Sequence, residues 1–163
     1  MNMRVWLHKK TLAEMEQWGD KHFPEEVGGT LLGYEADVGD VVVREIIGPG
    51  PSAMHYSTRF VPDAVYQQVQ LEKRFAASGG SNTYLGDWHT HPNGTSELSS
   101  TDKRTLRRIA DRRYDCTDTP TMIILSDGLR SEWRIVAHRI TGSVWRPWGR
   151  KPIIETLSVE LFE

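Results

Sequence analysis

"GDWHTHPNGTSELSSTD", residues 86–102, is the stretch on which the reading of this chain turns. It continues a strand-like run, "TYLGDWHTH" (83–91), and residues two apart on a strand share a face. His89 and His91 therefore point the same way, about 6 to 7 Å apart at Cβ, a separation at which two imidazoles can meet one ion. Pro92 has no backbone donor and ends the strand, "NGTSE" lets the chain turn back, and Asp102 falls in the first turn of the next helix. Two histidines and one carboxylate make three protein ligands and leave a fourth tetrahedral position for water, as catalytic zinc requires. A plainer reading stands beside this one. Ser99 with Asp102 three residues on is also a helix cap with its acidic partner, and an N-terminal turn accommodates both roles. His-x-His, seven residues, Ser, two residues, Asp would arise by chance in a chain of this length with a probability on the order of one in a thousand or less.

Outward from that stretch, strands and helices interleave. "RVWL" (4–7) reads as a strand, and Thr11 with Glu14 as the cap of a helix carrying Leu12, Met15 and Trp18 at helical spacing. "GGTLLGY" (28–34) and "DVVVREIIG" (40–48) are two strands joined by a turn containing Gly39. "PGPSAMHYSTRFVPD" (49–63) is a loop, after which Pro62 opens a helix with Val65, Val69 and Phe75 on its apolar face. A helix from about Ser99 to Tyr114 turns Leu106, Ile109 and Ala110 inward, and its outer side bears Arg104, Arg107, Arg108, Arg112 and Arg113. "TMIILS" (121–126), a turn at Asp127–Gly128 and "SEWRIVAHRI" (131–140) supply two more strands. Residues 141–163 form a C-terminal extension whose structure the pattern leaves unassigned. Hairpins and crossovers together predict one α/β domain over 1–163, with a mixed, mostly antiparallel sheet flanked by helices.

Composition narrows the function. The 20 basic and 22 acidic side chains nearly cancel, unlike the basic excess of a nucleic-acid grip, so no nucleic-acid partner is expected beyond the arginine-rich helix. No apolar run reaches the roughly 18 residues that span a bilayer, and "MNMRVWLHKK" lacks a secretory core. The lone Cys116 has no partner for a disulfide, and the expected setting is cytoplasmic.

"HTHPNGTSELSSTD" resembles the signature of the JAMM, or MPN-plus, metalloproteases, and the resemblance extends over residues 24 to about 139. It implies Zn2+ held by His89, His91 and Asp102, and a serine of the active site at Ser99. It also implies an upstream glutamate, which "EVGGTLLG" supplies as Glu26, with Glu25 one place out of register. A non-ligating carboxylate beside the metal can take a proton from attacking water and deliver it to the leaving amine, and a serine hydroxyl can donate to the oxyanion. Asp87, on the face of the two histidines, Thr90 between them, and His55 and Arg59 in the 49–61 loop are further candidates for touching substrate or supporting the site. The implied fold is the JAB/MPN fold, with a layering like that of cytidine deaminases.

Among prokaryotic members, "GPGPSA" (48–53), "RFVPD" (59–63) and "YLGDWHTHP" (84–92) look most like the deconjugating isopeptidase of CBASS anti-phage operons. The implied substrate is a protein with a flexible C-terminal tail, a CD-NTase or a ubiquitin-like modifier, released from the target to which a fused activating and conjugating enzyme attached it. Two alternatives remain. One is a peptidase of another bacterial ubiquitin-like or sulfur-carrier pathway. The other is a non-catalytic MPN binding module, against which the intact set of five residues argues. The zinc-deaminase signature and His-Glu-x-x-His are both absent.

Overall fold

A computed structural model describes residues 2–111, 117–127 and 132–163. Among the described residues twelve elements follow one another: β1 (Arg4–His8), α1 (Lys9–His22), β2 (Gly28–Glu35), β3 (Val41–Ile47), β4 (Met54–Tyr56), β5 (Arg59–Val61), α2 (Ala64–Ala77), β6 (Thr83–His91), α3 (Ser100–Asp111), β7 (Thr121–Asp127), β8 (Trp133–Arg146) and β9 (Gly149–Phe162). The mixed sheet is present, but it closes on itself in the order β1-β3-β2-β6-β7-β8-β9. Closure is the departure from the sequence reading, and the unassigned residues 141–163 cause it. They complete β8 and form β9, which pairs antiparallel with β8 and then parallel with β1, from Arg4 beside Ser158 to His8 beside Phe162.

β7 shows how the layers are arranged. It is buried along nearly its whole length, the mark of a strand covered on both faces. Ile123 and Leu125 join the main core with Val5, Leu7, Leu31, Trp88 and Leu157, against which Leu12, Met15 and Trp18 of α1 pack. Met122 and Ile124 face the other way, into a second cluster with Leu106 of α3 and Ile140. Leu157 fixes the closing strand in the main core. Leu157→Ala should cost about 2–4 kcal/mol of unfolding free energy by chemical denaturation, the range for a buried leucine truncation. A loss below about 0.5 kcal/mol would show that closure adds little.

Three local expectations are corrected. His8, not Thr11, caps α1, and Thr11 lies buried inside it, donating to the Arg44 carbonyl at 2.7 Å. Asp63 rather than Pro62 starts α2, because its carboxylate accepts from the Tyr66 N–H at 3.1 Å. The apolar positions of α2 face water, with Val65 76% exposed. That helix is held instead by polar contacts: Thr30 Oγ1 donates to Gln67 Oε1 at 2.7 Å, and Arg74 pairs with Glu45 at 3.2 Å. The 49–63 loop contains the small β4–β5 hairpin. Arg112, Arg113, Tyr114, Cys116 and Gly128 lie outside the described residues. Among the described residues no helix is long and apolar enough to cross a membrane.

Candidate active site

Strand register explains why the histidines meet the helix. β6 runs parallel to β7 with His89 beside Ile124 and His91 beside Ser126. Neighbours across a ladder share a face, so both imidazoles stand on the side of the sheet where Ile124 packs under α3. Asp102 precedes Leu106 by four residues and lies one turn up the same side of that helix. Packing Leu106 into the second cluster therefore directs the Asp102 carboxylate at the histidines. Gly28, paired with His89, is needed for the approach of β2 from the other flank. A Cβ there would come within 2.3 Å of the Trp88 carbonyl oxygen and 2.7 Å of His89 Cβ.

The three groups converge. His89 Nε2 lies 2.8 Å from His91 Nε2, and Asp102 Oδ1 and Oδ2 lie 3.2 and 3.4 Å from the two imidazoles. One ligand atom from each residue falls within 4.8 Å of the others. Tetrahedral zinc with nitrogen ligands places donor atoms roughly 3.3 Å apart, so the set fits such an ion after small adjustments. His91 Nδ1 meets the Thr95 carbonyl at 2.8 Å. A carbonyl only accepts, so in neutral His91 the proton sits on Nδ1 and the Nε2 lone pair faces the cluster.

Electrostatics follow from this crowding. Burial works against the Asp102 carboxylate, but hydrogen bonds from His89 and His91 outweigh it and hold the group far below the usual carboxylate range. Burial likewise lowers His91, yet its bonds to Asp102 and Thr95 and the charges of Asp102 and Glu26 leave it raised overall. Glu26 is half-buried where the chain enters β2. Burial raises its proton affinity, His89 and His91 oppose this, and Asp102 adds to it, with a net shift upward. The carboxylate is therefore within electrostatic reach of all three residues. Glu25 is exposed.

Ser99 forms the reciprocal cap that its spacing allows. Its N–H donates to Asp102 Oδ2 at 2.8 Å, and its Oγ accepts from the Asp102 N–H at 3.1 Å. Capping thus orients the carboxylate and leaves the Ser99 hydroxyl proton free to point outward, so the cap and the active-site readings are compatible.

The remaining candidates divide. Thr90 is fully buried on the opposite face, where its Oγ1 accepts from the Val27 N–H at 3.0 Å and its own N–H donates to the Val27 carbonyl at 2.8 Å. It ties β6 to the residue after Glu26. His55 Nδ1 lies 2.9 Å from the Glu26 carbonyl, and the Glu26 N–H donates to the Tyr56 carbonyl at 2.8 Å, so the β4–β5 hairpin grips the Glu26 backbone. The His55 ring stacks on His22 at 3.8 Å. Arg59 is exposed on that hairpin, 5.0 Å from the Tyr56 ring centre, and Asp87 accepts from the Tyr84 hydroxyl at 2.9 Å. The grips by Thr95, Tyr56 and His22 were missed from sequence. Two of them act through backbone carbonyls, which any residue type supplies. Thr90→Val leaves a buried N–H unpaired and should cost about 1–3 kcal/mol in chemical denaturation. An unchanged denaturation midpoint would remove Thr90 from the support of Glu26.

Two imidazoles and a buried carboxylate, converging with a second carboxylate in electrostatic reach, define the site of a metal-dependent hydrolase. The sequence profile of the family described as "Prokaryotic homologs of the JAB domain" matches residues 8–136, and the chain belongs to that family. It is a JAMM-type metallohydrolase. The chain is 34% identical over 125 residues to the "Probable metalloprotease y4qB" of Sinorhizobium fredii (strain NBRC 101917 / NGR234), covering 76% of each chain. It is 30% identical over 112 residues to the "CD-NTase/cGAS isopeptidase" of Vibrio cholerae serotype O1, covering 69% of this chain and 67% of that one. The solution structure of protein DSY2949 from Desulfitobacterium hafniense superposes with a TM-score of 0.69 at 21% identity over 98% of this chain and 93% of that one, a likeness of fold.

Proposed function

We propose that this protein is a zinc peptidase that cuts the bond following a flexible protein C-terminal tail, releasing a CD-NTase from a conjugate in a CBASS-type system. The observation that carries the reading is the convergence of His89, His91 and Asp102 with the Glu26 carboxylate within their electrostatic reach. Two imidazoles and one carboxylate are a donor set suited to catalytic zinc. Zinc bound there would polarise the scissile carbonyl and acidify water. Glu26 takes the proton released as water attacks and hands it to the departing amine, and its elevated proton affinity suits a group that must do both. The Ser99 hydroxyl donates to the oxygen of the substrate carbonyl as negative charge gathers on it.

Substrate choice draws on the relatives. The curated protein of Vibrio cholerae is named an isopeptidase acting on CD-NTase/cGAS, and one of Pseudomonas aeruginosa (strain BWHPSA011 / Pa011) carries the same name at 28% identity. The site is bordered by two segments that can hold an extended tail. The 92–98 segment is anchored at His91 through Thr95, and the β4–β5 hairpin lies against Glu26. β5 pairs with β4 alone among the described strands, so its other edge is open to pairing with a peptide backbone. Recognition then concentrates on the tail side of the cut bond, and the leaving amine matters less. The system would also contain a fused activating and conjugating enzyme, and the setting would be cytoplasmic. The alternative reading is a peptidase in another bacterial ubiquitin-like or sulfur-carrier pathway; the relative y4qB is named only as a probable metalloprotease.

The test joins a CD-NTase tail to an unrelated fluorescent protein and follows release by zinc-loaded enzyme. Cleavage that scrambling the tail abolishes, and that changes on the leaving side tolerate, is expected. Equal cutting of scrambled tails removes the tail specificity. No cutting of any CD-NTase or ubiquitin-like tail, with zinc bound, assigns the chain to the non-catalytic binding modules.

A further inference from the structure

The hairpin of β8 and β9 continues past the barrel that it closes. β8 pairs with β7 only as far as Arg139, and β9 meets β1 only from Ser158 onward. Between those limits, residues 142–152 form a two-stranded ribbon with no third described strand beside it. The ribbon lies beyond residue 136, where the family match stops. Its end carries Trp145 and Trp148, 80% and 87% exposed, the two most exposed large apolar side chains of the described residues. Arg146, Arg150 and Lys151 stand exposed among them. Arg150 is held in place: its Nε and Nη2 donate to Ser143 Oγ at 3.0 and 2.7 Å, and its guanidinium stands 6.0 Å from the Trp145 ring centre. Between this ribbon and α3 lies a cavity of about 420 Å³ lined by Trp148, Arg150, Lys151 and Arg107, with Asp111 and Asp118 on its wall.

Tryptophan and arginine are the side chains that most often anchor protein interfaces, and a fixed arginine loses little freedom on binding. The chain as a whole carries a net charge of −2, whereas Arg107, Arg146, Arg150 and Lys151 outnumber Asp111 and Asp118 here, which leaves this region with a local positive excess. Its complement is acidic. Two carboxylates in the cavity wall oppose a continuous polyphosphate backbone and suit a protein surface of mixed polarity. Distance links this region to the proposed reaction. From Asp102 to Asp111 along α3 is about 14 Å at 1.5 Å per residue, and an extended tail covers about 3.3 Å per residue. Roughly four residues of extended tail therefore cover the distance from Asp102 to Asp111, which stands in the cavity wall opposite the ribbon. A fixed surface also needs a constant partner. Under the proposed reading, the protein that owns the tail is constant, whereas the target on the leaving side varies.

We propose that the 142–152 ribbon and the adjoining face of α3 form an exosite for an acidic face of the folded protein whose tail is cut. This rests on the tail-cleaving reading above. The test uses two substrates, a full-length CD-NTase joined through its own tail to a fluorescent protein, and the same tail grafted on an inert carrier. The double variant Trp145→Ala, Trp148→Ala should lower kcat/KM on the full-length substrate by about tenfold or more, mainly through KM. It should leave the grafted tail unaffected. Arg150→Glu with Lys151→Glu, which keeps the tryptophans, should do the same. Loss of the wild-type advantage at 0.5 M salt should accompany both results. Equal losses on the two substrates, or no loss on either, overturn the exosite while leaving tail cleavage intact. Tryptophan-dependent binding of a single-stranded DNA 30-mer, measured by fluorescence anisotropy, also overturns it by assigning the ribbon to nucleic acid. If wild-type enzyme cuts neither substrate, the tail-cleaving reading falls, and the exosite falls with it.

Discussion

Glu26→Gln will leave zinc content and thermal stability close to those of the parent protein and reduce turnover by about 10³-fold, within the range that general acid–base groups contribute. Glu26 lies outside the group of three residues whose donor atoms converge. Its backbone, not its carboxylate, makes the hydrogen bonds to Tyr56 and His55, so an amide side chain leaves those contacts in place. Glutamine keeps the size and loses the proton exchange. Glu25→Gln, at an exposed position one residue earlier, is the control and should be nearly silent. Zinc measured by mass spectrometry and single-turnover rates on a tail fusion decide the matter. Loss of zinc in Glu26→Gln would make Glu26 a ligand. A dead Glu25→Gln beside an active Glu26→Gln would move the proton-transfer role by one residue.

The parts of this molecule that a sequence shows are those in which spacing itself carries the geometry. His89 and His91 are adjacent on one face because strands alternate, and Asp102 joins them because it stands one turn before a buried leucine. Both facts depend on periods of two and of about 3.6 residues, which need no tertiary knowledge. β6 spans residues 83–91 in the structure as it does in the sequence reading, since Thr83–His91 is bounded by turn residues at both ends. What the pattern could not give is long-range partnership. β9 has a burial pattern that alternates only in part, because half of it lies beyond the barrel, so its role in closure against β1 left no periodic mark. Arg139 illustrates the same limit. Only 3% exposed, it donates to the Thr119 and Gly39 carbonyls and pairs with Glu35 at 2.5 Å, while in sequence it is one more arginine on a strand. On α2 the apolar spacing was real but pointed outward, because Thr30, Glu45 and Gly48 offer that helix polar partners rather than a greasy groove.

Stripping the metal will abolish turnover, and stoichiometric Zn2+ will restore it. At a zinc concentration about 1,000-fold above the dissociation constant, binding stabilises the fold by about 4 kcal/mol, which for a chain of this size raises the thermal midpoint by about 8–16 °C. The size of that gap should depend on pH in a definite sense. In the metal-free protein the raised proton affinity of His91 contributes stability that is fully present below the unfolded value near 6.5 and is lost as pH rises through the folded value. Asp102, held low, contributes stability above about pH 4 that is lost only as pH falls towards its folded value. The metal-free protein is therefore best supported at roughly pH 4 to 6.5, with the carboxylate ionised between protonated imidazole and its neighbours. Zinc needs His91 neutral, so protons compete with it over that same range. Raising the pH from about 5.5 to 8 consequently weakens the metal-free protein and tightens zinc binding at once. The difference between the two thermal midpoints should widen across that interval, and calorimetry with and without a chelator at four or five pH values measures it. A difference that stays constant, or narrows towards pH 8, would mean that the imidazole of His91 does not exchange its proton for the metal. Asp102→Asn should remove most of the pH dependence in the metal-free protein, because it takes away the charge that holds the proton on His91. In the same variant zinc should bind much more weakly, which separates the electrostatic role of that carboxylate from a purely structural one.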